Sequence, residues 1–142
     1  MGDRTESSIV IDASPSAVLD VIADVERYPE WANGITSAEV LEAGPAGRPA
    51  RVRFRIDAGP IKDEYVLAYD WADDSVSWSL VSAQVLTAMD GAYTLTPAGD
   101  GVEVGYRLTV DLAMPMLGLI KRKAERAVID TALKDLRRRV EG

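Results

Sequence analysis

The stretch VEVGYRLTVDLAMPMLGLIKRKAERAVIDTALKDLRRRV, residues 102–140, contains the change of hydrophobic period that decides the fold. Over residues 102–112 apolar side chains occupy every second position, which predicts a strand with one buried face. After Pro115 the spacing becomes helical, and at 1.5 Å per residue the helix would be about 36 to 40 Å long. Its predicted apolar side comprises Leu117, Ile120, Ala124, Ala127, Val128, Ala132, Leu133, Leu136 and Val140.

Upstream of this stretch, alternation with period two continues back to residue 35. The clearest case is residues 51–56, where Val52, Phe54 and Ile56 alternate with three arginines. Strands are predicted over residues 35–41, 51–56, 61–70, 76–80, 86–96 and 102–112. Because the turns between successive strands are short, neighbouring strands are expected to be antiparallel.

The beginning of the chain adds one strand and two helical segments. Residues 8–13 are rich in β-branched side chains, which favours a strand. Ser14 and Pro15 are typical of a helix start, so a short amphipathic helix is predicted over residues 15–23. One further helical turn fits over residues 25–31. The order is β-α-α-β6-α, an α+β fold in one domain, residues 1–142, in which only the last helix is long enough to cover the sheet.

Composition excludes several classes of active site. The 142 residues include no Cys and no His, which removes disulfides, thiolate nucleophiles, Cys-ligated zinc and every Ser-His-Asp arrangement. We therefore predict no metal site and no cofactor. The polar, acidic start lacks the pattern of a signal peptide, and no apolar run approaches a membrane span, so a cytoplasmic location is expected.

The formal charge of −7 is unevenly distributed. Residues 1–113 carry 8 basic and 19 acidic side chains, a net charge of −11, whereas residues 114–142 carry 8 basic and 4 acidic side chains, a net charge of +4. An acidic body argues against nucleic-acid binding. The basic face of the last helix is typical of a solvated surface, and it could also meet anionic lipid headgroups or RNA.

Four segments together with the order β-α-α-β6-α carry a family resemblance: residues 24–31 (DVERYPEW), 39–42, 90–95 and 111–136. Through them the sequence resembles the START-like or Bet v 1-like (SRPBCC) superfamily over essentially the whole chain. Within it, the chain is most similar to the polyketide cyclase/dehydrase and lipid-transport group, which includes coenzyme Q-binding proteins. The resemblance implies a helix-grip fold, in which a seven-stranded antiparallel sheet wraps around the long C-terminal helix. It also implies an apolar tunnel that holds lipids, quinones, steroids or polyketides.

The candidate ligand-binding residues are those predicted to lie on the core-facing side of the strands or near the expected mouth of the tunnel. They are Trp31, Phe54, Tyr65, Trp78, Met89, Tyr93, Tyr106, Met116, Leu117 and Ile120. A solid core made of the same side chains is the alternative, because packed interiors are the norm. Tyr28 lies beside Trp31 and is predicted either to border the mouth or to plug the turn against the sheet.

Catalytic residues are harder to find. Relatives that act as aromatase/cyclases are thought to use pocket Arg, Tyr and Ser, but the strand phase predicts that Arg51, Arg53, Arg55 and Arg107 face solvent. A buried carboxylate with a raised pKa could serve as a base, and Asp63, Glu64 and Asp90 lie nearest to the possible pocket. For Asp90 a surface position or a β-bulge is favoured. We therefore predict no catalytic residue.

The function predicted from these observations is binding, transport or sequestration of a small hydrophobic molecule without strong catalysis. The first alternative is a polyketide aromatase/cyclase or dehydratase that uses pocket Tyr or Arg. The second is a ribosome- or membrane-associated regulator, with transient membrane contact. A monomer or a homodimer fits either case.

Overall fold

The computed structural model describes residues 5–58, 61–112 and 118–142. The elements are β1 (Thr5–Ile11), α1 (Pro15–Ala23), α2 (Tyr28–Trp31), β2 (Ile35–Ala43), β3 (Pro49–Ala58), β4 (Ile61–Trp71), β5 (Ser75–Ala83), β6 (Leu86–Ala98), β7 (Gly101–Leu112) and α3 (Gly118–Glu141). A 3-10 turn, Val25–Arg27, leads into α2. The predicted α+β order is confirmed. β1 differs most, because it begins earlier than predicted and ends at Ile11.

The seven strands form one antiparallel sheet in the order β1-β7-β6-β5-β4-β3-β2. Its register places large side chains opposite one another: Phe54 pairs with Tyr65, Tyr69 with Trp78, and Tyr93 with Tyr106. Since side chains alternate between the two faces of a strand, these rings share one face. We call this the inner face, because buried residues of α3 belong to the same hydrophobic core.

The first helix begins where the sequence predicts. The Ser14 hydroxyl accepts a hydrogen bond from the backbone N–H of Ala17, and Pro15 occupies the first turn. Val18, Leu19 and Ile22 are its buried residues and join the core. Capping by Ser and the fixed φ of Pro therefore set the position of α1.

The face that α3 turns to the sheet differs from the predicted one. Its buried residues include Glu125, Ile129, Leu133 and Leu136, spaced as one side of a helix. Three residues predicted to face the core, Ala124, Ala127 and Val128, are exposed. The predicted apolar side was wrong in this turn, where the helix buries Glu125 instead of these three residues.

The position of α3 is fixed by one buried side chain near its beginning. α3 packs most closely against β1 and β7, at one side of the sheet. There the Glu125 carboxylate accepts a 2.7 Å hydrogen bond from the Thr5 hydroxyl and another of 2.7 Å from the backbone N–H of Val110. This carboxylate joins α3 to both strands. Within the described ranges, no helix has the length and apolar character that a membrane crossing requires.

Candidate functional site

Aromatic side chains are concentrated in and around the hydrophobic core. The three Trp, five Tyr and one Phe of the chain all take part in ring contacts, with centroids 4.6 to 6.0 Å apart. The closest pair is Tyr93 and Tyr106. We call the whole set the aromatic cluster: Tyr28, Trp31, Phe54, Tyr65, Tyr69, Trp71, Trp78, Tyr93 and Tyr106. Offset and edge-on contacts of this kind stabilise a core and also suit flat apolar ligands.

The structure brings most of the predicted site residues together. Five of them are buried on the inner face: Phe54, Tyr65, Trp78, Tyr93 and Tyr106. Met89 and Trp31 are half-buried and pack against the same core. Met116 and Leu117 lie outside the described residues, and for Ile120 only the backbone is described. These placements make the inner face the candidate site, and ligand contact remains a prediction.

The hydroxyls of the buried tyrosines fall into two kinds. The Tyr28 hydroxyl donates a hydrogen bond to the backbone carbonyl of Ile22. Within the part of the chain that the structure describes, the hydroxyls of Tyr65, Tyr93 and Tyr106 have no hydrogen-bond partner. Burial raises the pKa of each of these three phenols. They therefore stay protonated at neutral pH and can donate to a ligand oxygen.

Asp63 does not have the raised pKa expected of a buried base. Its carboxylate accepts backbone N–H bonds from Glu64, Gln84, Val85 and Leu86, at 2.7 to 3.1 Å. Burial alone would raise the pKa of Asp63, but these four donors outweigh it and lower the pKa. Asp63 thus holds the β5–β6 turn. Among the described residues, no group of three or more carboxylates converges to hold a metal ion.

The arginines of β3 face solvent, as the strand phase predicts. Arg53 forms ion pairs with Glu39, at 3.1 Å, and with Glu64, at 3.4 Å. Arg55 also contacts Glu64, at 3.3 Å, and Arg51 lies 3.9 Å from a carboxylate oxygen of Glu42. These three arginines therefore place no guanidinium on the inner face, where the first alternative, a cyclase, would use Tyr or Arg.

Asp90 and Arg107 likewise take surface positions, on β6 and β7. The register shift in β6 lies between Leu86 and Ala88 rather than at Asp90. Neither residue therefore contributes a charge to the inner face.

Trp31 borders an open groove where α2, β2 and α3 meet. The groove has a volume of about 570 Å³ and is lined by residues 29–35 and by Thr131, Lys134, Asp135 and Arg138 of α3. Asp135 is buried and accepts a 2.9 Å hydrogen bond from the backbone N–H of Asn33. Tyr28, in contrast, is buried and bonded to Ile22, so it plugs the turn.

Two features of the site could not be found by sequence reasoning. Glu125 looks like a surface residue until the phase of α3 is known. The indole N–H of Trp78 is buried without a hydrogen-bond partner among the described residues, and no local pattern signals this.

Comparisons with solved structures show similarity in fold. A START superfamily protein from Mycobacterium smegmatis is 21% identical, with a TM-score of 0.91 over 97% of each chain. The Zhui aromatase/cyclase from a Streptomyces species is 16% identical, with a TM-score of 0.74 over 97% of this chain and 93% of its own. A STAR-related lipid transfer protein from Xanthomonas axonopodis is 21% identical, with a TM-score of 0.72 over 96% of this chain and 85% of its own.

At sequence level, no curated protein matches the chain. A family match, however, spans residues 3–141 and carries the description polyketide cyclase / dehydrase and lipid transport. Since it covers nearly the whole chain, and the fold agrees with the structural relatives above, this protein belongs to the polyketide cyclase/dehydrase and lipid transport family.

Proposed function

We propose that this protein binds a small hydrophobic molecule, such as a lipid, a quinone or a polyketide, between the inner face of the sheet and α3, and does not transform it. The observation that supports the proposal is the aromatic cluster. Its rings offer apolar area, and three of its tyrosine hydroxyls have no hydrogen-bond partner among the described residues. A largely apolar site with a few placed polar groups is typical of small-molecule binding.

The chemistry of the inner face favours binding over catalysis. General acid or base catalysis works best when the pKa of the group lies near the working pH. The pKa values of Tyr65, Tyr93 and Tyr106 are instead raised above the ordinary phenol value by burial. Such phenols make stable hydrogen bonds but transfer protons poorly at neutral pH.

Native mass spectrometry of protein purified from its own host tests the proposal. We expect a bound molecule of low mass that is uncharged or weakly charged and that leaves on collisional activation. The same sample, stripped by unfolding and refolding, serves as the control and should regain binding of a neutral fluorescent probe such as N-phenylnaphthylamine. Ligand-free protein that also fails to bind the probe would contradict the proposal.

The aromatase/cyclase alternative is supported by the buried tyrosines and by the similarity in fold to the Streptomyces aromatase/cyclase. It predicts that the hydroxyls of Tyr65, Tyr93 and Tyr106 act in the reaction. Changing all three to Phe in the host, and comparing polyketide products by mass spectrometry, separates the two functions. An altered product profile from a folded variant would favour the enzyme.

A further inference from the structure

The three tryptophans of this chain differ in what their indole N–H groups contact. Trp71 donates a 2.6 Å hydrogen bond to the backbone carbonyl of Pro49. Trp31 is half-buried at the groove. Trp78 is only 8% exposed, and its Nε1 is fully buried without a partner in the part of the chain described. Buried donors are almost always paired, so an exception calls for an explanation.

The orientation of the Trp78 indole is fixed by its surroundings. A Cβ atom at Gly91, the residue opposite on β6, would lie 2.5 Å from Cζ2 and 2.7 Å from Cε2 of the indole. Only glycine permits the ring to lie this close to the strand. The rings of Tyr69, Tyr93 and Tyr106 surround it at centroid distances of 5.5 to 6.0 Å. The N–H therefore cannot turn towards bulk water without displacing the aromatic cluster.

The buried charges of the described residues are all negative. The buried charged residues of the described chain are Asp63, Glu125 and Asp135, and each carboxylate accepts at least one backbone N–H. No Lys or Arg is buried among the same residues. Taking an anionic ligand out of water without a compensating cation is unfavourable.

Arg48 is the nearest approach to a buried cation, because its Nη1 atom is also buried without a partner. Its side chain is 25% exposed, however, and it pairs with Asp20 at 3.6 Å and stacks on Trp71 at 5.2 Å from the ring centre. The guanidinium is therefore partly solvated and paired with a carboxylate, and the indole that it contacts is that of Trp71.

From this geometry we infer that the indole N–H of Trp78 is a hydrogen-bond donor to the bound ligand, and that the ligand is an uncharged hydrophobic molecule with a carbonyl oxygen, as in a ketone or a quinone. The inference rests on the proposed function. It deepens that function by naming the ligand group that the site selects. The rings of Tyr93 and Tyr106 contact Trp78, and their hydroxyls can also donate to a carbonyl oxygen, so the site offers such an oxygen more than one donor.

Three matched probes test the inference by calorimetry and by nitrogen-15 NMR of the indole groups. They are the ketone α-tetralone, its hydrocarbon tetralin, and the anion naphthoate. In the wild-type protein we expect the Trp78 indole proton to move downfield with α-tetralone and not with tetralin. The Trp71 indole proton, which is already hydrogen-bonded, should not move with either. We also expect naphthoate to bind more weakly than α-tetralone.

Trp78→Phe keeps an aromatic ring and removes the donor. The variant should weaken α-tetralone binding about fivefold to tenfold, the amount expected for one neutral hydrogen bond, and leave tetralin binding within about twofold. The exposed Lys123→Ala, which lies outside the aromatic cluster, is the control and should leave both affinities unchanged. Since the NMR experiment uses the wild-type protein, it decides the question even if Trp78→Phe does not fold.

The outcomes separate this inference from the proposed function. If tetralin and α-tetralone bind equally and the Trp78 proton does not move, the ligand site stands and the donor assignment is overturned. If naphthoate binds as tightly as α-tetralone, selection for an uncharged ligand is overturned. If none of the probes binds, the proposed function fails, and the inference fails with it.

Discussion

At the scale of single residues, each buried carboxylate of the described chain accepts hydrogen bonds from backbone N–H groups and has a structural role. Asp63 holds a turn, Asp135 holds the segment between α2 and β2, and Glu125 joins α3 to two strands. Charge-assisted hydrogen bonds to backbone N–H groups are stronger than neutral ones, so each carboxylate is compensated where it lies. A pKa lowered by such bonds makes stability depend on pH.

Asp63→Asn should lower the free energy of unfolding by about 2 to 4 kcal/mol at pH 7, because one amide oxygen cannot accept four bonds. The folded-state pKa of Asp63 lies below its ordinary value of 3.8. Its contribution is therefore fully present above about pH 4 and is lost as the pH falls through the lower, folded-state pKa. Urea denaturation should show that the difference in free energy of unfolding between the wild type and Asp63→Asn becomes smaller in acid. The exposed Asp90→Asn serves as the control, and a gap that stays constant down to pH 2 would contradict this role.

Tyr28→Phe and Tyr93→Phe should differ in stability although both remove a buried hydroxyl. The first loses a hydrogen bond to Ile22 and should cost about 1 kcal/mol, whereas the second loses none to the described protein and should cost less than about half as much. Urea denaturation of the ligand-free proteins measures both. Equal losses would show that the Tyr93 hydroxyl has a partner.

At the scale of elements, strands were easier to predict than the orientation of the helix. Alternation in β3 correctly predicted that Phe54 faces the core and Arg53 faces solvent. A shift of one residue would move every apolar side chain of the strand to the solvent face, so the pattern fits only one choice of buried face. In α3 the neighbouring apolar residues Val128 and Ile129 point in different directions from the helix axis, so the sequence fits two choices of buried face. Only the buried carboxylate of Glu125 decides between them, and sequence patterns assign charged residues to the surface.

Glu125→Ala should destabilise the protein by about 2 to 4 kcal/mol, since it leaves the Thr5 hydroxyl and the Val110 N–H without their acceptor. Glu125→Gln should cost less, because it keeps one acceptor oxygen. Urea denaturation gives the stabilities, and hydrogen exchange at the Val110 amide should accelerate in both variants. The exposed Lys123→Ala is the control on the same helix. Unchanged exchange at Val110 would contradict the assigned contact.

At the scale of the whole molecule, the distribution of charge argues against strong binding to an anionic membrane surface. The last helix is basic, but Arg138 contacts Asp135 and Arg139 contacts Glu30, which leaves part of its charge paired. The remaining chain carries a net charge of −11 over residues 1–113 and repels an anionic surface.

We therefore expect no more co-sedimentation with anionic phosphatidylserine vesicles than with neutral ones at about 0.15 M salt. In the charge-reversal variant Glu30→Lys, Arg139 loses its ion-pair partner. This variant should therefore bind anionic vesicles more strongly than the wild type does. Strong wild-type binding that disappears at high salt would support the membrane-associated alternative instead.

The site could be predicted only in part. The sequence correctly predicted that Tyr65, Tyr93 and Tyr106 face the core, because side chains alternate between the two faces of a strand. It could not reveal that their hydroxyls, or the Trp78 N–H, lack partners, since partners come from other strands and depend on the register between them. Chemical selectivity of the inner face is therefore a property of the assembled sheet.

A crystal structure of the protein purified from its own host tests the central claim most directly. The account predicts electron density for one small molecule between α3 and the aromatic cluster, in contact with rings such as Phe54 and Tyr106 and with an oxygen within hydrogen-bond distance of Trp78 Nε1. An interior closed by the rings themselves, with space for water alone, in protein that also binds none of the hydrophobic probes, would contradict it.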